Sequence, residues 1–184
     1  HRGIDSTGVT VAGQPKQDDL ILRLRARSET GAEALFDQVE AKIAEIGGSV
    51  QSRRAVGEYL RLSVRYPGDV HQLAEALVGL DGIEVDSIGQ CSEVIKDVGT
   101  PVALDQKHHI SSLRGTHGIG HVRMATESRV DISHAHPFWA FPFLDITVVH
   151  NGQLTNYHSM KRYYEDKGFR FQTNNDSELI SVYL

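Results

Sequence analysis

The chain has 184 residues, with 19 basic and 24 acidic side chains and a formal charge of −5. That balance argues against a nucleic-acid surface as its main business, and 40 % hydrophobic with 23 % charged residues is a globular composition, not a disordered one. No apolar run reaches membrane-spanning length, and the single cysteine rules out an internal disulfide or a cysteine-based zinc finger and points to a reducing compartment.

Residues 1–14 are polar and punctuated by Gly3, Gly8 and Gly13, with residues 7–12 readable as a strand. Next, Leu20, Leu22 and Leu24 alternate with Ile21, Arg23 and Arg25, the period of a half-buried strand. Thr30 with Glu33 has the form of a capping box. Leu35, Val39, Ile43 and Ile46 follow at helical spacing until Gly47-Gly48 ends the helix. Residues 50–56 read as a second strand. Leu60, Leu62, Val64 and Tyr66, alternating with Tyr59, Arg61 and Arg65, read as a third, broken by Pro67-Gly68. Asp69 is placed to cap a second helix with an inward face of Leu73, Ala76, Leu77 and Leu80. Ile83, Val85 and Ser87 suggest a fourth strand. The order β-α-β-β-α-β is that of the ferredoxin-like split-βαβ unit, so residues 18–90 are expected to form a module of their own. Its basic residues, Arg53-Arg54 and Arg61/Arg65, fit a solvated strand face, a docking surface or a small regulatory ligand's site.

Residues 91–114 read as a connector, with a loop at Val98-Gly99-Thr100-Pro101 and a short helix over 105–113. Glycines then crowd at 115, 118 and 120, and residues 146–149 form a short apolar run fit for a buried strand that stops at His150-Asn151-Gly152. Thr155 or Asn156 caps a helix running to Lys167, and Phe169 and Phe171 suggest another strand. Asn175 with Glu178 caps a last helix. The sequence opens without Met and closes within a helical pattern, so the chain is expected to be part of a longer protein. The expected plan is one domain made of residues 1–17 and 91–184, with 18–90 inserted.

Four short stretches carry the chemistry. They are His1-Arg2-Gly3-Ile4-Asp5-Ser6-Thr7-Gly8, Gly118-Ile119-Gly120-His121-Val122-Arg123-Met124-Ala125-Thr126, the pair Ala135-His136-Pro137-Phe138 and Val149-His150-Asn151-Gly152, and Asn175-Asp176-Ser177-Glu178. Their order and content resemble the class II glutamine amidotransferases, glutaminase domains of the N-terminal-nucleophile hydrolases. The resemblance covers residues 1–17 and about 115–184. It implies an α+β, four-layer αββα fold around the inserted module, and hydrolysis of the glutamine side-chain amide with the ammonia passed to a partner.

The resemblance implies roles residue by residue. The family nucleophile is an N-terminal cysteine whose α-amine is the base; it is expected upstream of residue 1, which would leave this fragment alone inactive. Cys91 is internal and is expected to be a bystander. Arg123 matches the arginine that grips the substrate carboxylate, and a guanidinium does this bidentately. Asp176 matches the residue for the substrate ammonium; as a carboxylate at a helix start it also suits the helix dipole. Asn151 and Gly152 match the oxyanion hole, where a side-chain amide and a backbone N–H meet the developing charge; Asn-Gly is also the commonest hairpin turn. Arg2 matches an arginine near the nucleophile, and Thr126 one wall of the glutamine pocket. Met124 and Glu127 stand where many family members have Trp and His, which argues against the hexosamine-synthesising branch.

The wording Arg-Met-Ala-Thr-Glu-Ser with an early inserted module looks more like the amidotransferase subunits of glutamate-synthase and N-methylglutamate-synthase complexes. That implies a cytoplasmic hetero-oligomer with an ammonia-accepting synthase subunit bearing flavin and iron–sulfur groups. No cofactor motif lies in this chain, and neither a nucleic acid nor a membrane is expected as partner. Among the ten histidines, His134 and His136 are compatible with a metal, but His108, His109, His117, His121, His134, His136 and His150 read better as polar positions around a buried site. The alternative from another class is a silent subunit that binds an amino acid or scaffolds a synthase.

Overall fold

Alternating apolar residues become strands, and residues three and four apart become helices, through the first half of the chain. The computed structural model describes residues 5–14, 19–123 and 132–184. It begins with β1 (Ser6–Ala12) and β2 (Asp19–Ala26). Helix α1 (Ala32–Glu45) buries Ala32, Phe36, Val39 and Ile43, so its inward stripe is turned from the expected one, and Leu35 and Ile46 are half-buried. The expected capping box does not form. Gly31 is the N-cap, in the left-handed region at φ 82, and the Glu33 carboxylate pairs with Arg53 instead.

Strands β3 (Ser49–Val56) and β4 (Tyr59–Arg65) follow, then α2 (Val70–Val78), where the Asp69 carboxylate accepts the His71 N–H at 3.0 Å. Helix α2 buries Leu73, Ala74 and Leu77; the expected Ala76 and Leu80 are only half-buried. With β5 (Ile83–Gly89) these strands make one antiparallel sheet in the order β3-β4-β2-β5. Leu22, at its centre, lies opposite Leu62 and Ile88. Strand β2 is covered on both faces rather than one. Ile21 and Arg25 are buried as well as Leu20, Leu22 and Leu24, because Glu84 and Glu93 neutralise the arginines there.

The expected connector over 91–114 holds a strand, β6 (Ser92–Val98), and a helix, α3 (Pro101–His108). Strand β6 hides in the sequence because its buried residues include Glu93, Lys96 and Asp97, charges tolerated only with partners. Helix α3 starts four residues before the expected one, with Thr100 Oγ1 accepting the Ala103 N–H, and a short 3₁₀ turn, Ile110–Ser112, follows it. Strand β7 (His117–Arg123) completes a sheet in the order β6-β1-β7. Strands β8 (Phe138–Trp139) and β9 (Thr147–Val148) pair antiparallel, and α4 (Tyr157–Asp166) and α5 (Asp176–Tyr183) close the chain. Phe169 and Phe171 are not a strand: Phe169 packs edge-on against Tyr164, and Lys161 lies over the Phe171 ring.

This mixed α/β chain divides into two compact units. One holds Ala12–Glu93 with Pro142–Asp145, the other His1–Val11, Val94–Phe141 and Ile146–Leu184. In the first, Asp145 adopts φ 60 and its carboxylate accepts the N–H groups of Gln90, Cys91 and Ser92 at 3.2, 3.1 and 2.9 Å and the Ser92 hydroxyl at 2.9 Å. Also in that unit, Glu93 accepts from Arg23 at 2.7 Å and from Arg61 at 2.8 Å. Burial pushes the Glu93 carboxyl up, but the two guanidiniums outweigh it and hold it below the ordinary range. No helix among the described residues is long and apolar enough to cross a membrane.

Replacing Glu93 with Gln leaves two neighbouring guanidiniums without their anion and should cost about 3–5 kcal/mol in urea denaturation at pH 7. Because the folded carboxyl titrates low, its contribution is complete above the ordinary glutamate value of 4.5 and lost as pH falls through the depressed one. Variant and wild type should therefore converge in acid; equal midpoints at pH 7 would contradict the role.

Candidate functional site

All four motif stretches are joined by hydrogen bonds and close approaches, all within the unit that holds β7, β8, β9 and α5. The first stretch runs into β1, beside β7. There the Asp5 N–H donates to the Arg123 carbonyl at 3.4 Å, and Gly8 passes so close under the His136 carbonyl that a Cβ would overlap it. Arg123 ends the second stretch on β7. Arg2 and Thr126, with Met124 and Glu127, lie outside the described residues.

Asn151 and Gly152 follow β9 and lead into α4, not into a paired strand. Neither has a positive φ, so the pair is not the two-residue hairpin turn that its sequence also allowed. Gly152 lies against the His150 ring, where a Cβ would come within 2.7 Å of Nε2.

The fourth stretch holds this loop. Asn175 caps α5 by accepting the Ser177 N–H at 2.9 Å, which sets Asp176 in the first turn. Asp176 Oδ2 then accepts the Leu154 N–H at 2.6 Å, and His150 Nδ1 shares a 3.1 Å hydrogen bond with Ser177 Oγ. The expected capping box is half made. Glu178 does not reach back to Asn175 but accepts the N–H groups of Gln172 and Thr173 at 2.6 and 2.7 Å and the Thr173 hydroxyl at 2.6 Å. Burial raises the Glu178 pKa, with these donors acting against it.

His150 also acts on a pair of imidazoles, His121 and His136. The rings of His121 and His136 lie 4.4 Å apart, and Phe138 meets His136 edge-on at 4.7 Å. Both His136 ring nitrogens and His121 Nδ1 are buried without a hydrogen-bond partner. Burial, then the neighbouring His121, Lys96, Arg123 and His150, pushes the His136 pKa down to about 3. Burial, with Arg123 and His150, lowers that of His121 as well. Arg123 and His150 thus both act on one imidazole pair.

Sequence reasoning missed Lys96, a buried lysine on β6 whose ammonium stands 5.4 Å from the Phe138 ring centroid. The sequence Ser-Glu-Val-Ile-Lys-Asp-Val around it has no apolar alternation to signal a buried strand. Among the described residues no group of three or more His, Cys, Asp or Glu is placed to hold a metal ion. Cys91 has its thiol pKa raised by burial and by the Asp145 carboxylate, the opposite of what a nucleophile needs.

A glutamine amidotransferase domain model matches residues 82–184, more than half the chain. The chain belongs to the class II glutamine amidotransferase family. It is 35 % identical to a putative glutamine amidotransferase of Methanothermobacter thermautotrophicus, over all of this chain and 62 % of that protein. It is 32 % identical to the glutamine amidotransferase-like protein GlxB of Rhizobium meliloti, over all of this chain and 59 % of that protein. A shorter match, 35 % identical over 54 % of this chain and 20 % of the relative, is to the amidophosphoribosyltransferase of Escherichia coli. The chain thus spans about three fifths of the first two relatives.

In this glutamine amidotransferase domain the neutral state of His136 is directly measurable. Its carbon-bound ring proton should keep one NMR shift from pH 8 down to pH 5. The unfolded histidine takes up its proton near 6.5 and the folded one near 3, so its share of stability is complete above 6.5 and drains away as pH falls between them. A titration midpoint for His136 near 6.5 would contradict the buried, cation-flanked environment.

Proposed function

We propose that the intact protein hydrolyses glutamine to glutamate and ammonia and delivers the ammonia to a synthase partner. The observation that carries this reading is the pair of hydrogen bonds, Asp176 to Leu154 and His150 to Ser177, that ties the Asn151-Gly152 loop to the start of α5. On this reading Arg123 clamps the substrate carboxylate and Asp176, through its remaining lone pairs, takes the ammonium. A cysteine preceding His1 supplies the nucleophile, with Arg2 beside it and Thr126 on the pocket wall.

The thiol attacks the side-chain amide carbon while its proton passes to the free α-amine. The electron pair of the C=O bond moves onto oxygen, where the Asn151 amide and the Gly152 N–H receive it. Collapse breaks the C–N bond, and the proton held by the α-amine leaves on the departing ammonia. Water then opens the thioester to glutamate and regenerates the thiol. The cationic surroundings of Arg123 and the imidazole pair favour both the substrate carboxylate and the thiolate.

We place the domain, by its motif wording, with the subunits that serve glutamate-synthase-type and N-methylglutamate-synthase-type complexes in the cytoplasm. The acceptor would be a flavin- and iron–sulfur-bearing subunit in a hetero-oligomer. Residues 18–90 are read as a ferredoxin-like module set into a four-layer αββα domain.

Mass spectrometry of the mature full-length protein should find Cys at its N-terminus, and the protein should release glutamate from glutamine; any residue but Cys, Ser or Thr there overturns the hydrolase reading. In that protein Asn151→Ala should lower kcat by about 10²–10³ with little change in KM. Arg123→Ala should weaken glutamate binding by about 2–4 kcal/mol in calorimetry; an unchanged affinity would contradict its assignment.

A further inference from the structure

The sheet of the other unit carries a row of three arginines. Arg23 on β2 lies directly opposite Arg61 on β4, and Arg61 lies directly opposite Arg54 on β3. Directly paired residues of antiparallel strands share a face, with Cβ atoms about 5 Å apart, and like charges so placed repel. The repulsion registers at Arg23, whose pKa is lowered by burial first and then by Arg61 and Arg54, against the pull of Glu93.

One carboxylate serves this row. Glu93 sits between Arg23 and Arg61, accepting from both. The neighbouring arginines of the unit are balanced: Arg25 by Glu84, Arg27 by Asp81 and Glu84, Arg53 by Glu33 and Glu40, Arg65 by Asp19. Among the described residues, Arg54 is the one arginine of β2, β3 and β4 with no ion pair, and it is exposed. The Arg61 side chain is 21 % exposed, so the Arg61–Arg54 end of the row is open to solvent.

We infer that Arg54 and Arg61 form a binding site for a small anion carrying a phosphate or carboxylate head group. Glu93 supplies the template, since it shows how one oxyanion bridges two guanidiniums of adjacent strands in this sheet. The Arg61–Arg54 pair repeats that cross-strand placement with no carboxylate of the described residues bridging them. The charge imbalance is confined to this pair, because the arginines around it carry their own partners. That favours one compact head group over a long acidic strand. Two guanidinium forks on neighbouring strands suit a planar carboxylate or a phosphate equally well. The inference concerns residues away from the four motif stretches and stands whether or not the glutamine reading holds.

The test is calorimetry on the full-length protein at low ionic strength, with pyrophosphate and citrate as separate probes, so that the tighter one names the head group. At least one should saturate a single site and raise the melting temperature. Arg54→Gln should weaken that binding about ten- to a hundredfold. Arg54→Lys, which keeps the charge without the fork, should weaken it less than Arg54→Gln, and Arg53→Gln, changing the adjacent arginine on the opposite face, should leave it unaltered. Arg54 is exposed and unpaired, so its variant should melt with the wild type when no anion is added. Failure of both probes to saturate, equal losses from Arg53→Gln and Arg54→Gln, or saturation by polyglutamate alone would each overturn the site.

Discussion

One carboxylate organises the unit that holds β7, β8, β9 and α5. Asp176, in the first turn of α5, accepts the Leu154 N–H at 2.6 Å and so fixes the loop that begins at Asn151. Without that bond, residues 149–156 would connect a two-residue strand to a helix with little to set their path. His150 and Ser177 repeat the tie one residue on, and Glu178 secures the turn before α5 through three donors. A backbone amide that must meet charge building on oxygen is useful only if it is already in place, because reorganisation during the reaction would consume the gain. The proposed dual use of Asp176, as loop anchor and ammonium acceptor, is chemically consistent: an ionised carboxylate has about four lone-pair sites, and one N–H occupies only one of them.

Around this loop the electrostatics are one-sided. Lys96, Arg123, His121 and His150 all bear on His136, which answers by staying neutral. A protonated ring would add another cation to a poorly hydrated cluster, and the solvation penalty opposes it. A neutral imidazole there leaves the positive field to the guanidinium and ammonium groups around it. The other unit solves the same problem differently, by burying Glu93 between two arginines.

Much of this was legible in the sequence, for definite physical reasons. Strands β2 and β4 announced themselves because Leu20, Leu22, Leu24, Leu60, Leu62 and Val64 alternate, and Asp69 showed its cap because an acidic residue after Pro67-Gly68 has little else to do. Strand β6 stayed hidden because Glu93, Lys96 and Asp97 are buried with long-range partners that local patterning cannot supply. The aromatic pair Phe169 and Phe171 misled because contacts with Tyr164 and Lys161 of α4, not strand pairing, half-bury them. At the site, the four stretches were visible as words, but the bond from Asp176 to Leu154 was not, since 22 residues separate them. Nor was the latch of Asp145 on residues 90–92, which spans more than fifty positions.

The central claim is that Arg123 and Asp176 hold one amino acid against the Asn151-Gly152 loop. A crystal structure of the full-length protein with glutamate tests it most directly. The account predicts the α-carboxylate on the Arg123 guanidinium and the α-ammonium on Asp176, each within about 3.2 Å, with the Leu154 bond kept. Glutamate bound elsewhere, or touching neither of these two side chains, would contradict it.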